Sequence, residues 1–129
     1  MNFIAENEKF KVYSLDESIY LKKKNLLNNN NKFSKKDKFI GHHYGNPNDG
    51  IITDKYVIVS GCGICIYDLK AETENHYFTD EKDRYWTNGI HQEGEDDYHT
   101  EFRFVSWNSE NKLRVFKMNI LTAELTELE

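Results

Sequence analysis

Short runs of alternating apolar and polar residues, each broken by a polar or glycine-containing turn, recur along the chain and predict β-hairpins. In DKYVIVSGCGICIYDL (residues 54–69), two β-branched or aromatic runs flank Ser60-Gly61-Cys62-Gly63, the composition of a turn between paired strands. In EFRFVSWNSENKLRVFKM (101–118), Phe102 and Phe104 alternate with Arg103 and Val105, a polar turn follows at Asn108-Ser109-Glu110-Asn111, and Leu113 and Val115 alternate with Arg114 and Phe116. The run Tyr56 to Val59 is apolar at every position, as a strand covered on both faces requires. The second hairpin has a solvated side and is expected nearer an edge.

The N-terminal pattern admits two readings. KFKVYSLDESIYLKK (9–23) can form a hairpin turning at Asp16-Glu17-Ser18, yet Ser14 and Glu17 also match an S-x-x-E helix cap, with Leu15, Ile19, Leu26 and Leu27 at roughly helical spacing. A wider regularity favours the hairpin. Ser14, Ser60 and Ser106 each end an apolar strand, 46 residues apart both times. Each precedes a turn and a second apolar strand: Ile19 to Leu21, Ile64 to Leu69, and Leu113 to Phe116. A third, weaker apolar segment follows each pair, at Lys38-Phe39-Ile40, His76-Tyr77-Phe78 and, more loosely, Ile120-Leu121-Thr122.

The expected fold is therefore mainly β, a small antiparallel hairpin and meander domain with at most one short N-terminal helix. Three related units would be propeller-blade-like meanders; a barrel or sandwich is the alternative packing of the same hairpins. The length of 129 residues suits one domain spanning 1–129. Gly45-Asn46-Pro47-Asn48-Asp49-Gly50 is a turn cluster between the first third and the rest, and Asn28 to Lys38 reads as a polar loop. No apolar run is long enough to span a membrane, and the start, MNFIAENEKF, lacks the pattern of a secretory leader. The expected location is the cytoplasm, with no membrane partner.

Charge divides the chain. Residues 1–40 hold nine lysines against five acids, a net +4, so with −5 overall the remainder carries −9. The basic part centres on Lys22 to Lys38 and the acidic part on EGEDDYHTE, Glu93 to Glu101. The lysines lie among asparagines with only Phe33 available for stacking, and the acidic remainder repels polyanions, so no nucleic-acid partner is expected.

Cys62-Gly63-Ile64-Cys65 is a CxxC motif, but the following residues alternate as a strand rather than opening a helix, and Pro47 precedes it. A thioredoxin-like role needs the opposite arrangement. A zinc site needs two further ligands, for which His76, His91 and His99 are nearest, and no second pair has finger-like spacing. No metal or other cofactor is expected; Cys65 reads as a core residue and Cys62 as a turn residue. His42 and His43 are adjacent and in a strand would face opposite ways. With no nucleophile motif and no phosphate-binding loop, the chain is not expected to be an enzyme. The alternatives are a small metal-dependent or hydrolytic enzyme using His91, His99 and neighbouring carboxylates, and a β-scaffold interaction module.

The acidic segment is the candidate binding site. Glu93, Glu95, Asp96, Asp97 and Glu101 surround Tyr98, with Trp86, Phe102 and Trp107 nearby in sequence. Carboxylates can steer a basic partner and aromatic rings can anchor it. In size, composition and lack of catalytic motifs, with this acidic, hairpin-rich region over residues 50–129, the chain resembles the small cytoplasmic immunity proteins that bacteria encode beside polymorphic and contact-dependent growth-inhibition toxins. The resemblance implies a toxin inhibitor whose partner is a basic protein, such as an RNase or DNase, with its active site masked by Glu93, Glu95, Asp96, Asp97, Tyr98 and Glu101.

Overall fold

The computed structural model describes residues 2–24, 32–45, 47, 49–79, 86–93, 100–107 and 113–128. These residues form twelve strands and no helix, in three antiparallel four-stranded sheets. The first sheet is a meander of β1 (Asn2–Glu6), β2 (Phe10–Leu15), β3 (Ser18–Lys23) and β4 (Lys38–His42). The second comprises β5 (Gly50–Ile52), β6 (Tyr56–Gly61), β7 (Gly63–Asp68) and β8 (Thr73–Tyr77). The third comprises β9 (Trp86–His91), β10 (Glu101–Trp107), β11 (Leu113–Asn119) and β12 (Leu125–Leu128). In each sheet the strand order follows the chain, so three blade-like meanders account for the 46-residue spacing. Ser14, Ser60 and Ser106 fall on the second strand of each unit and are all buried.

The apolar pattern explains why the second sheet is the middle one. Val57 and Val59 of β6 lie opposite Tyr67 and Cys65 of β7, and this face packs with Ile4, Val12, Ile19, Leu21 and Ile40 of the first sheet. The intervening residues Ile58, Ile64 and Ile66 point the other way, into Ile90, Phe102, Phe104, Phe116, Met118 and Ile120. A strand pair buried on both faces must be apolar throughout, and each fully buried large side chain contributes roughly 1.5–3 kcal/mol. The third sheet buries one face, which is why β10 alternates, whereas the outer face of the first is partly covered where Tyr13 and Lys22 are buried beside Asp37.

Four expectations are refined. The N-terminal segment is a hairpin, with Asp16 in the left-handed region (φ 53°) at the turn. The helix cap is not formed: Ser14 Oγ donates to the Pro47 carbonyl at 3.0 Å, and the Glu17 carboxylate accepts the Gly45 amide at 2.9 Å; Leu26 and Leu27 lie outside the described residues. Each unit also has a leading strand, β1, β5 or β9, that the apolar pattern did not reveal, because β5 has three residues and β9 reads WTNGIH. In the third unit the fourth strand is Leu125–Leu128, and Ile120 is instead a core residue before a turn. Finally, β10 and β11 are inner strands of their sheet, so the polar side of that hairpin marks an uncovered sheet face rather than a sheet edge.

The glycine-rich cluster at 45–50 works as a clasp. The Pro47 carbonyl accepts from Asn2 Nδ2 and Ser14 Oγ, both at 3.0 Å. The Asp49 carbonyl accepts the Ser60 amide at 2.9 Å and its hydroxyl at 3.1 Å, while Asp49 Oδ2 accepts the Ile90 amide at 2.9 Å. One aspartate thus ties the second sheet to the third. Thr87 of β9 adds a second tie, accepting the Gly61 amide at 3.1 Å and donating to the Gly63 carbonyl at 2.7 Å. Asp49→Ala should cost about 1–3 kcal/mol, the penalty for a buried amide without its acceptor, seen as a lower urea midpoint; Asp49→Asn, which keeps an acceptor oxygen, should recover most of it.

Candidate functional site

The acidic segment joins the end of β9 to the start of β10, placing it at one rim of the uncovered third sheet. Its two flanking carboxylates are paired with side chains of the sheet. Glu93 Oε2 lies 3.0 Å from Arg103 Nη1 and Oε1 lies 3.2 Å from His91 Nε2, while Glu101 Oε2 lies 3.7 Å from Lys117 Nζ. Arg103 and Lys117 are cross-strand partners on the uncovered face. Glu95, Asp96, Asp97, Tyr98 and His99 lie outside the described residues.

The neighbouring aromatics are placed differently from expectation. Phe102 is fully buried and packs, tilted, beside Phe104 in the core, so it cannot anchor a partner. Trp86 and Trp107 are paired in register at the far end of β9 and β10 from this rim. There they adjoin Leu113, which is 67% exposed, and the half-buried Val105 and Val115. The uncovered face therefore has a charged half beside the acidic segment and an apolar half away from it.

The basic N-terminal segment is largely engaged within the fold. Lys22 is buried and its Nζ lies 3.0 Å from Asp37 Oδ2, which also accepts from the Tyr13 hydroxyl at 2.5 Å and the Ser34 amide at 3.0 Å. Burial and the adjacent carboxylate raise the Tyr13 phenol well above its usual range. Lys24 pairs with Glu6 at 2.9 Å, and Lys38 pairs with Glu72. On the face of the first sheet turned away from the second, Phe3, Tyr13, Tyr20 and Phe39 form a row across all four strands, with the Tyr13 and Tyr20 rings stacked at 5.5 Å.

A second cluster lies between the first and second sheets. Cys65 of β7 and His76 of β8 are direct cross-strand partners. His43, just after β4, enters from the first sheet; its Nδ1 stands 3.3 Å from His76 Nδ1, and the two rings stack at 5.4 Å. Cys65 Sγ is 4.0 Å from His76 Nε2, and that nitrogen lies 2.9 Å from Glu74 Oε2. A side chain at Gly41 would collide with the Glu74 carboxylate, so the glycine makes room for it. Strand alternation sends His42 outward, 3.4 Å from Glu17, and His43 inward.

Burial controls the chemistry of this cluster. Cys65 and His43 are 2% and 1% exposed. Burial, with the Glu74 carboxylate adding to it, pushes the Cys65 thiol up to about 12. Burial and then the neighbouring His76 bring His43 down to about 4. Both groups are neutral near pH 7, and a protonated buried thiol is a poor nucleophile. Cys62 and Cys65 are both buried and neither is in a disulfide, with Cys62 between β6 and β7 as a turn residue and Cys65 in the core. His43 Nε2 is buried with no hydrogen-bond partner among the described residues, an uncommon state for a buried polar atom.

No family model matches the sequence, and no curated protein or solved structure matches it. The functional reading rests on the acidic rim and on the cluster between the sheets. Spacing in the sequence paired Cys62 with Cys65 and offered His76, His91 and His99 as further ligands; the fold instead joins Cys65 to His76 and His43. His91 sits on the surface with Nδ1 2.9 Å from the Gly89 carbonyl and Nε2 against Glu93. Nothing local in the sequence marks His43, because its partner His76 lies in another sheet and is brought to it by sheet packing. No helix among the described residues is long and apolar enough to cross a membrane.

Proposed function

We propose that the chain is a non-catalytic inhibitor of the immunity-protein type, which neutralises a basic protein toxin by occupying its cationic active site. The supporting observation is the anchoring of the acidic segment. Glu93 and Glu101 bracket it at one rim of the third sheet and pair with Arg103, His91 and Lys117.

The charge balance favours the same partner. Residues 86–129 carry nine acids and four lysines or arginines, a net −5. Such a field accelerates encounter with a cationic protein and opposes a nucleic acid. On this reading Glu93 and Glu101 shape the base of the contact, Glu95, Asp96 and Asp97 meet lysines or arginines of the toxin, and Tyr98 supplies the ring that enters a pocket.

The test is growth protection. Co-expression with a basic toxin encoded by a neighbouring reading frame should restore growth, and the triple reversal Glu95→Lys, Asp96→Lys, Asp97→Lys should abolish protection while leaving the thermal midpoint within a few degrees. Equal protection by the reversed protein would overturn the assignment of the acidic rim.

A further inference from the structure

We propose that His43, Cys65 and His76 form a binding site for a single zinc-class divalent cation between the first and second sheets. Three ligands of the preferred types converge from two sheets, with one ligating atom of each within 4.8 Å of the others. Two imidazoles and a thiolate are a borderline-soft donor set that suits zinc and cobalt(II), and does not suit calcium or magnesium.

The spacing agrees with that assignment. In a tetrahedron with metal–nitrogen bonds of about 2.0–2.1 Å, two ligating nitrogens stand about 3.3–3.4 Å apart. The Nδ1 atoms of His43 and His76 are 3.3 Å apart. The Cys65 sulfur stands within 4.8 Å of a ligating nitrogen of each histidine, against about 3.5 Å around a tetrahedral zinc, so it must approach by up to about 1.3 Å, within the range of a side-chain rotation.

The surroundings supply the remaining parts of a metal centre. With His76 ligating through Nδ1, its Nε2–H donates to Glu74 Oε2 at 2.9 Å, the carboxylate–histidine arrangement that fixes the tautomer and orientation of a ligating imidazole. Gly41 is what allows that carboxylate to sit there. His43 and Cys65 are buried, whereas the His76 side chain is 29% and that of Glu74 40% exposed, giving the ion a route in from the edge of β8. On binding, the thiol releases its proton to solvent and the sulfur lone pair forms the metal bond; both imidazoles bind neutral. Three protein ligands leave a fourth position for water. The cation would add a cross-link between two sheets that are also joined by apolar packing, the 45–50 clasp and the Lys38–Glu72 ion pair.

The experiment is titration of chelator-treated protein with cobalt(II), followed by displacement with zinc(II). The expected result is one equivalent bound, with visible bands of four-coordinate intensity and a near-ultraviolet sulfur-to-cobalt charge-transfer band, all lost on adding zinc. Cys65→Ser should remove the charge-transfer band and weaken binding more than tenfold. The partly exposed His76→Gln keeps the test open if the Cys65 variant fails to fold, and should also weaken binding more than tenfold. Glu74→Gln should keep the band but bind about 10–100-fold more weakly, and Cys62→Ala should behave as wild type. Absence of the thiolate band in the wild-type protein, its loss with Cys62→Ala, or unchanged affinity in His76→Gln would overturn the proposal.

Discussion

Replacing Asp37 by alanine is expected to cost about 3–5 kcal/mol, the range measured when one member of a buried ion pair is removed. The Asp37 and Lys22 side chains are each 1% exposed and their charged atoms are 3.0 Å apart. The carboxylate also receives the Tyr13 hydroxyl and the Ser34 amide. Alanine would take this carboxylate from a buried ammonium and strip an acceptor from two further donors. The network joins β2, β3 and the segment entering β4, so loosening should begin in the first sheet. Equilibrium denaturation in urea would read the loss, and amide exchange would place it in β2 and β3 before β10 and β11. The double variant Lys22→Met, Asp37→Leu should recover much of the stability, because apolar groups of similar volume remove the charge as well as the bond. If Asp37→Ala alone costs less than about 1 kcal/mol, the pair is better solvated than its burial indicates.

Gly63→Ala is expected to be comparably damaging, at about 3 kcal/mol or more. Gly63 has φ +80°, where a Cβ alone costs roughly 1–2 kcal/mol. The added methyl would also collide with the Tyr77 carbonyl oxygen of β8, backbone that cannot swing aside as a side chain can. Relief requires β8 to move away from β7, and overpacking of that kind costs a further 1–3 kcal/mol or so. Because Cys65 and His76 face each other across this strand pair, the same displacement would separate two ligands of the proposed cation site. Thermal denaturation should show the loss of stability, and cobalt(II) titration of whatever remains folded should show weakened binding. A variant as stable as the parent would mean that the β7 to β8 pairing is more adaptable than its packing indicates.

The parts of this structure that were legible in the sequence are those set by strand alternation. Tyr56 to Val59 and Ile64 to Ile66 are apolar at nearly every position because the sheet they form is covered on both faces, and a strand with one solvated face does not produce that pattern. The positions of Ser14, Ser60 and Ser106 disclosed the repeat because each occupies the same buried place on the second strand of its unit. The leading strands were hidden. β5 is three residues long and β9 is mostly polar, and both are held by neighbours and by the 45–50 clasp more than by their own apolar content.

The sites were less legible than the fold. Alternation correctly sent His42 and His43 to opposite faces, but nothing local could say that the inward ring of His43 would meet His76, 33 residues away and in another sheet. The CxxC motif drew attention to the right cysteine for the wrong partner: Cys65 faces His76 across the hairpin, while Cys62 occupies the turn. For the acidic rim, nearness in sequence suggested aromatic anchors that the fold directs elsewhere, since Phe102 alternates into the core and Trp86 and Trp107 pair at the opposite end of their strands. Register across a sheet, which a linear reading does not carry, separates these outcomes.

The proposed function is tested most directly by calorimetric titration of the full chain with a purified basic toxin domain encoded by a neighbouring reading frame, at low and at physiological ionic strength. A one-to-one complex is expected, weakening as salt rises in the manner of a charge-steered contact, and it should be undetectable for the protein with Glu95, Asp96 and Asp97 reversed to lysine at an unchanged thermal midpoint. A complex of equal affinity with the reversed protein, or no complex with the wild-type chain, would contradict it.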